Sequence, residues 1–338
     1  MMANDFKQIA VVTKNEIIKM LRGKKFLISL SIILIIFALI TILKTVSDGG
    51  WDNIQKTSDI LNLYLSMFSY VILLVVALLS SVALVSEFEE RTALILFTRP
   101  IKRTTILIGK AMACLIVEAC MILAYYILVC IVSLIQVGGI SEHMAASYGI
   151  ALLYIFAASG ISFIVSSFFK RGSVCTIISL LVLIVIIPIF TSIVGGDTWY
   201  MLDTAGNTII TCVPEYVDGI NEGREGFVGV VSYASMILNA FTNPDTNQAL
   251  ADVLYNFSQT SEYQSLDKQV QDSILYIIGF LTQHPDENLP AMIETLDALK
   301  LYISPMDYPD VPKEALVLMV WGIIGYLIAW VKFIKREF

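Results

Sequence analysis

Residues Ser86–Lys110 read SEFEERTALILFTRPIKRTTILIGK, a charged, amphipathic island between two hydrophobic segments long enough to cross a bilayer. A loop of that kind touches a partner on the cytoplasmic side. Around it, the 338-residue chain is 57% hydrophobic and 15% charged, with a mean hydropathy of +0.77. Soluble domains carry roughly one-quarter charged residues, so this composition belongs to an integral membrane protein.

A helix needs about 20 apolar residues to cross the hydrocarbon. Six segments qualify, at 26–43, 61–86, 105–136, 149–169, 174–194 and 314–334. Lysine and arginine near span ends are retained in the cytoplasm. Lys7, Lys14, Lys19, Arg22, Lys24 and Lys25 place the N-terminus inside. Six spans then put Arg91, Arg99, Lys102, Arg103 and Lys110 inside, with Lys170, Arg171, Lys332, Lys335 and Arg336. The segment Val137–Tyr148 has no Lys or Arg, and Gly195–Lys313 is acidic. One outer loop is mixed, with Lys44 and Lys56 against Asp48, Asp52 and Asp59. The expected topology is a multi-pass plasma-membrane protein with both termini cytoplasmic. The first span reads as an uncleaved anchor, since no small-residue cleavage pattern follows the basic leader.

The fold class that follows is an all-α polytopic membrane protein with six transmembrane helices. Residues 1–25 are expected to form a cytoplasmic amphipathic interfacial helix, because Phe6, Ile9, Ala10, Ile17, Met20 and Leu21 recur at helical spacing between lysines. A solvated basic leader is the alternative. Residues 26–194 hold spans one to five, including a cytoplasmic loop at 87–104. Residues 195–313 form an extracytoplasmic, mainly helical domain between spans five and six, and 314–338 hold the sixth span and a basic tail. Helical periodicity within the external segment covers 226–241, 246–258, 261–283 and 289–301. Asn256-Phe257-Ser258 matches the glycosylation sequon there.

Several chemistries lack their residues. Gly23-Lys24-Lys25 and Gly109-Lys110-Ala111 do not make the GxxxxGK[ST] phosphate cradle, so ATP hydrolysis is expected in a separate subunit. His143 and His284 are far apart, Cys/His metal spacing is absent, and no catalytic residue, metal or cofactor is expected. Cys212 is the one cysteine in the predicted external segment, so no external intrachain disulfide is expected. The formal charge of -7 gathers outside while the inner face is basic, which suits anionic membrane lipids as partners and gives no nucleic-acid site.

Within the island, Glu87, Glu89, Glu90 and Arg91 open a short helix that carries Leu94, Ile95, Leu96 and Phe97. Acidic residues suit a helix N-terminus, and Arg99-Pro100 ends the element. Such a helix either lies on headgroups or docks in a groove of a soluble partner.

Glu87, Thr92, Leu96, Pro100, Arg103 and Lys110 match, in order and spacing, the loop between spans two and three of the transmembrane subunits of ABC-2-type ABC transporters, which this chain resembles. Arg91 stands where that family commonly has glycine. The resemblance extends to the N-terminal helix, the six spans, the Ser166–Arg171 stretch and an external segment before the last span. It implies a permease, an exporter by the family pattern, coupled to cytoplasmic ABC ATPase subunits through Glu87, Glu89, Glu90, Arg91, Thr92, Leu96, Arg99, Pro100 and Arg103. It also implies a dimer with a second permease copy or a related permease.

Glu118 lies mid-span in KAMACLIVEACMILAYY, where a carboxylate is costly unless paired or neutral. It marks either an intramembrane polar site on a substrate or proton path, or a structural hydrogen bond to Tyr125, a serine such as Ser159, or a second subunit. Asn62, Ser66 and Ser69 form a weaker polar stripe of helix-packing type. The competing functional reading is a membrane sensor or scaffold whose external domain binds a ligand or envelope partner. A secondary transporter is less well supported, with one buried carboxylate and no inverted repeat.

Overall fold

The computed structural model describes residues 2–46, 51, 54, 56–86, 102–194, 200–222, 224, 251–252, 254–256, 258–259, 261–264, 268–283, 306 and 308–335. Every regular element among them is helical. The chain divides into two compact units, one made of Met1–Val213 with Pro309–Phe338 and the other of Pro214–Tyr308.

In the larger unit, α1 (Met2–Leu21) turns at Arg22-Gly23 into α2 (Lys24–Val46). There follow α3 (Thr57–Leu65), α4 (Phe68–Leu79) with a 3-10 turn at Ser80–Val82, α5 (Arg103–Gln136) and α6 (Met144–Phe168). α7 (Gly172–Leu180) continues through a π-helical stretch, Leu181–Ile186, into α8 (Ile187–Val194). α9 (Leu202–Thr211) and α12 (Val311–Lys335) complete the unit. Among the described residues, five helical spans are long and apolar enough to cross a membrane, or six if the bent pair α3–α4 counts as one. Their outer surfaces carry exposed Ile35, Ile42, Ile189 and Ile323, as lipid contact requires.

The second span departs from the continuous helix expected over 61–86. It begins at Thr57 and bends by 44° where α3 meets α4. Neither glycine nor proline marks this break; Met67 simply leaves helical geometry, with φ -110° and ψ 14°. A lone broken turn in lipid strands backbone groups, and here the Tyr125 hydroxyl donates to the Tyr64 carbonyl at 2.7 Å. Rings of Phe37, Tyr64, Phe68, Tyr125 and Tyr126 pack around the bend, with centroids 4.4–5.8 Å apart. The π stretch has a readable cause in Pro188, which lacks an N–H and crowds the carbonyl four residues earlier. Ile187 N–H accordingly bonds the Val182 carbonyl five residues back.

The 34 residues of α5 extend about 51 Å at 1.5 Å per residue, well beyond a hydrocarbon core of about 30 Å. Its far end stops at Gly138, where φ is +79° and the N–H bonds the Ser133 carbonyl.

α6 and α12 meet glycine to glycine. A Cβ on Gly325 would lie 2.6 Å from the Gly160 carbonyl carbon, and one on Gly160 would lie 2.9 Å from the Gly322 oxygen. Small residues let helix backbones approach in a membrane, where the gain comes from packing and not from water release. Ser159 and Tyr326 then sit hydroxyl to hydroxyl at 2.6 Å. α9 closes over α6, with Gly206 against the Tyr154 ring and the Ser147 hydroxyl donating to the Ile209 carbonyl at 2.6 Å.

In the smaller unit, residues 214–222 are helical, followed by α10 (Ser261–Gln264) and α11 (Lys268–Gln283). Asn221 grips Met306 through both its amide atoms, at 2.7 and 2.9 Å, and Tyr308 donates to Asp218. Tyr263 and Gln271 exchange side chain-to-backbone bonds at 2.9 and 3.0 Å. The helices expected over 226–241 and 289–301 lie outside the described residues.

Candidate functional site

Of the residues expected to couple the membrane part to an ATPase, Glu87, Glu89, Glu90, Arg91, Thr92, Leu96, Arg99 and Pro100 lie outside the described residues. Their two flanks, ending at Ser86 and resuming at Lys102, are described.

On the first flank, Leu84 is buried and its N–H donates to the Ser166 hydroxyl on α6 at 3.2 Å. On the second, Lys102 is the N-cap of α5, and the Arg103 guanidinium donates to the Ile334 carbonyl in the last turn of α12 at 2.9 Å. A cation at a helix C-terminus satisfies an orphan carbonyl and matches the helix dipole. Beside it, the Trp330 indole N–H donates to Thr104 Oγ1 at 3.2 Å.

α1 locks onto the same end of α5. Lys110 and Glu16 form an ion pair at 2.8 Å, with the lysine side chain 2% exposed and the glutamate 17%. The Thr13 hydroxyl reaches the Gly109 carbonyl at 3.2 Å. Gly109 is glycine because a Cβ there would press to 2.7 Å on Val12. Beneath these ties, Leu84, Leu107, Cys114, Phe163, Ala329 and Phe333 form one apolar cluster drawn from α5, α6, α12 and the end of the second span. Both loop flanks therefore rest on a single packed block.

Glu118 is fully buried one layer deeper. Ser80, in the 3-10 turn after α4, donates to its Oε1 at 2.7 Å, and Oε2 meets no hydrogen-bond partner among the described residues. The donor is thus a serine, as one expectation had it, but not Ser159, which pairs with Tyr326, while Tyr125 serves the Tyr64 carbonyl. The 3-10 turn aims Ser80 at the carboxyl. The Ser80-Ser81 pair within an apolar run was the available signal for it. Asn62 lies before the bend in α3, Ser66 lies at it, and Ser69 lies just after it in the first turn of α4.

Among the described residues no three His, Cys, Asp or Glu side chains gather as metal ligands. The geometry offers a mechanical junction and a buried, half-satisfied carboxyl.

The sequence family described as ABC-2 family transporter protein matches residues 10–338. No curated protein matches the chain.

Proposed function

Given that the chain belongs to the ABC-2 family of transporter proteins, as a membrane-spanning permease subunit that works with a separate ABC ATPase, we propose that Glu87–Arg103 is the element on which that ATPase docks. The observation that carries this reading is the anchoring of both loop flanks. Leu84 is fastened to Ser166, and Arg103 to Ile334, on one packed block with α1. Force applied between two such flanks is passed to helices and not absorbed by a slack hinge. ATP-driven closure moves a membrane part only through an element held this firmly.

The proposed working unit pairs two permease chains, identical or related, with two ATPases, and moves its substrate outward. Both termini and the docking loop face the cytoplasm in this reading, as the basic residues of the N-terminal segment and C-terminal tail favour. Within it, Glu118 is the candidate polar site on the path, because its Oε2 leaves a hydrogen-bonding position open inside the bundle. A second reading, action on an envelope partner, draws support from the compact unit Pro214–Tyr308, a separate body large enough to bind one.

The deciding experiment is affinity purification of the tagged protein from its native host, with mass spectrometry of companions and an ATPase assay on the complex. A companion with a phosphate-binding loop, lost when 87–103 is altered, supports docking. Its reproducible absence moves the balance to a sensor or scaffold.

A further inference from the structure

α9 does not lie across the end of the bundle but enters it. Ser147, in the first turn of α6, meets the Ile209 carbonyl, and Tyr154, two turns further along α6, meets Gly206. The N-terminal end of α9 is therefore the deeper one. Just before it, the Trp321 indole N–H on α12 donates to the Tyr200 carbonyl at 2.9 Å. Tyr154 and Trp321 each lie about 15 Å from the start of their helix, at 1.5 Å per residue, so the two contacts mark one depth.

Asp203 stands at this depth, one turn before Gly206 on the same face of α9. Gly206 lets the Tyr154 ring lie against that face, since a Cβ there would press to 2.6 Å on the ring and 3.0 Å on its hydroxyl. The Tyr154 hydroxyl thereby comes within electrostatic reach of the Asp203 carboxyl and of the Tyr70 hydroxyl on α4. Oxygen-bearing groups from α4, α6 and α9 converge.

Tyr154 is fully buried, and its hydroxyl has no hydrogen-bond partner among the described residues. The half-buried Asp203 makes no hydrogen bond or ion pair among them either; burial is the one influence on its ionisation, with no cation offsetting it. Tyr70, 47% exposed, leads from the group to the bundle surface. An acidic residue in the first turn of a helix suits the dipole, but a carboxyl set within a membrane bundle without a cation is costly, and such groups mark ligand or ion pathways.

A bare metal ion is poorly served, since no three His, Cys, Asp or Glu side chains gather among the described residues. A primary ammonium is well served. Its three N–H donors match one carboxylate and two phenol oxygens. The half-exposed Tyr70 ring adds a π face for the charge. Tyr154, accepting one N–H, keeps its own O–H to donate to Asp203.

We propose that Asp203, Tyr154 and Tyr70 form a binding site for the primary ammonium group of an amine ligand, the carboxylate balancing its charge and the two phenol oxygens accepting its N–H bonds. The site stands apart from the docking role of 87–103, so binding, and not transport, tests it.

The test titrates hexylammonium chloride into the full-length protein in phosphatidylcholine nanodiscs at neutral pH and reads calorimetric affinity and Tm. Wild type is expected to bind saturably, and hexyltrimethylammonium, which has no N–H, to bind more weakly. Asp203→Asn weakens hexylammonium about tenfold, the loss of one charge-assisted bond, and Tyr154→Phe or Tyr70→Phe about fivefold. Glu142→Gln, which removes an exposed carboxyl in the turn before α6, leaves affinity unchanged. No saturable binding, unchanged affinity in Asp203→Asn, or equal loss in Glu142→Gln overturns the proposal. Sodium chloride giving the same Asp203-dependent Tm rise assigns the site to an inorganic cation, and the ammonium assignment falls. Repeating the titration in phosphatidylethanolamine nanodiscs finds the source: competition there supports the site with a lipid amine as occupant, and equal affinity supports it with a soluble amine. Should Asp203→Asn not fold, the two Tyr→Phe variants decide, because each removes a hydroxyl that makes no hydrogen bond among the described residues; unchanged affinity in both refutes the site.

Discussion

Lys110 Nζ lies 2.8 Å from Glu16 Oε1, so two residues 94 positions apart fasten the N-terminal helix to the base of α5. Removing one partner of a buried ion pair leaves an uncompensated charge. The measured cost in other proteins is about 3–5 kcal/mol.

Lys110→Met is therefore expected to destabilise the permease by about 3 kcal/mol, because Lys110 is 2% exposed. Glu16→Gln costs less, since that side chain is 17% exposed. The double variant should recover much of the loss. Thermal unfolding in detergent across this cycle checks it, and simple additivity of the two single losses would refute the pairing.

The glycine crossing makes a sharper prediction. Gly325→Ala drives a methyl into the Gly160 backbone and forces α6 and α12 apart, at a cost of about 1–3 kcal/mol. Gly149→Ala, with nothing within 4 Å of its Cβ, serves as the silent control. Relative Tm and yield of folded protein separate the two.

Ser80→Ala removes the hydroxyl that serves Glu118, leaving a buried carboxyl without its donor, at about 1–3 kcal/mol. Glu118→Gln keeps an acceptor for Ser80 and should be better tolerated in stability. If Glu118 lies on the transport path, Glu118→Gln lowers substrate-stimulated ATPase activity while Tm holds. Full transport with altered stability alone would discard the path role.

Charge reversal at Glu87 and Glu90 is expected to weaken ATPase association about tenfold, equivalent to roughly 1.4 kcal/mol. The membrane part should remain folded, because Leu84–Ser166 and Arg103–Ile334 hold the flanks independently. Co-purification yield and transport-linked ATPase activity are the readouts, and unchanged coupling counts against docking.

Burial raises the Asp203 carboxyl above its ordinary value of 3.8. A raised pKa means the folded state binds the proton more tightly, so this group's favourable contribution is complete below the ordinary value and is lost as pH rises through the shifted one. Asp203→Asn should therefore gain stability relative to wild type near neutral pH, with the gap closing in acid. A Tm series from about pH 4 to pH 7 tests the sign.

Hydropathy alone determined the membrane class and the approximate spans, because about 20 apolar residues are a local requirement that tertiary context hardly alters. The amphipathic spacing of Phe6 to Leu21 likewise foretold a helix, now seen at Met2–Leu21. Glu118 was conspicuous because a carboxylate amid Leu, Ile and Val has no inexpensive explanation. What tertiary structure alone decided were the pairings: Glu16 with Lys110, Ser80 with Glu118, Gly160 against Gly325. The bend at Ser66-Met67 belongs with them. No proline or glycine encodes it, and it persists because Tyr125, two spans' worth of chain away, satisfies the Tyr64 carbonyl. Periodicity records which face of a helix is apolar, whereas the choice among partners depends on how separate helices cross, and that is settled by packing over distances no local pattern carries.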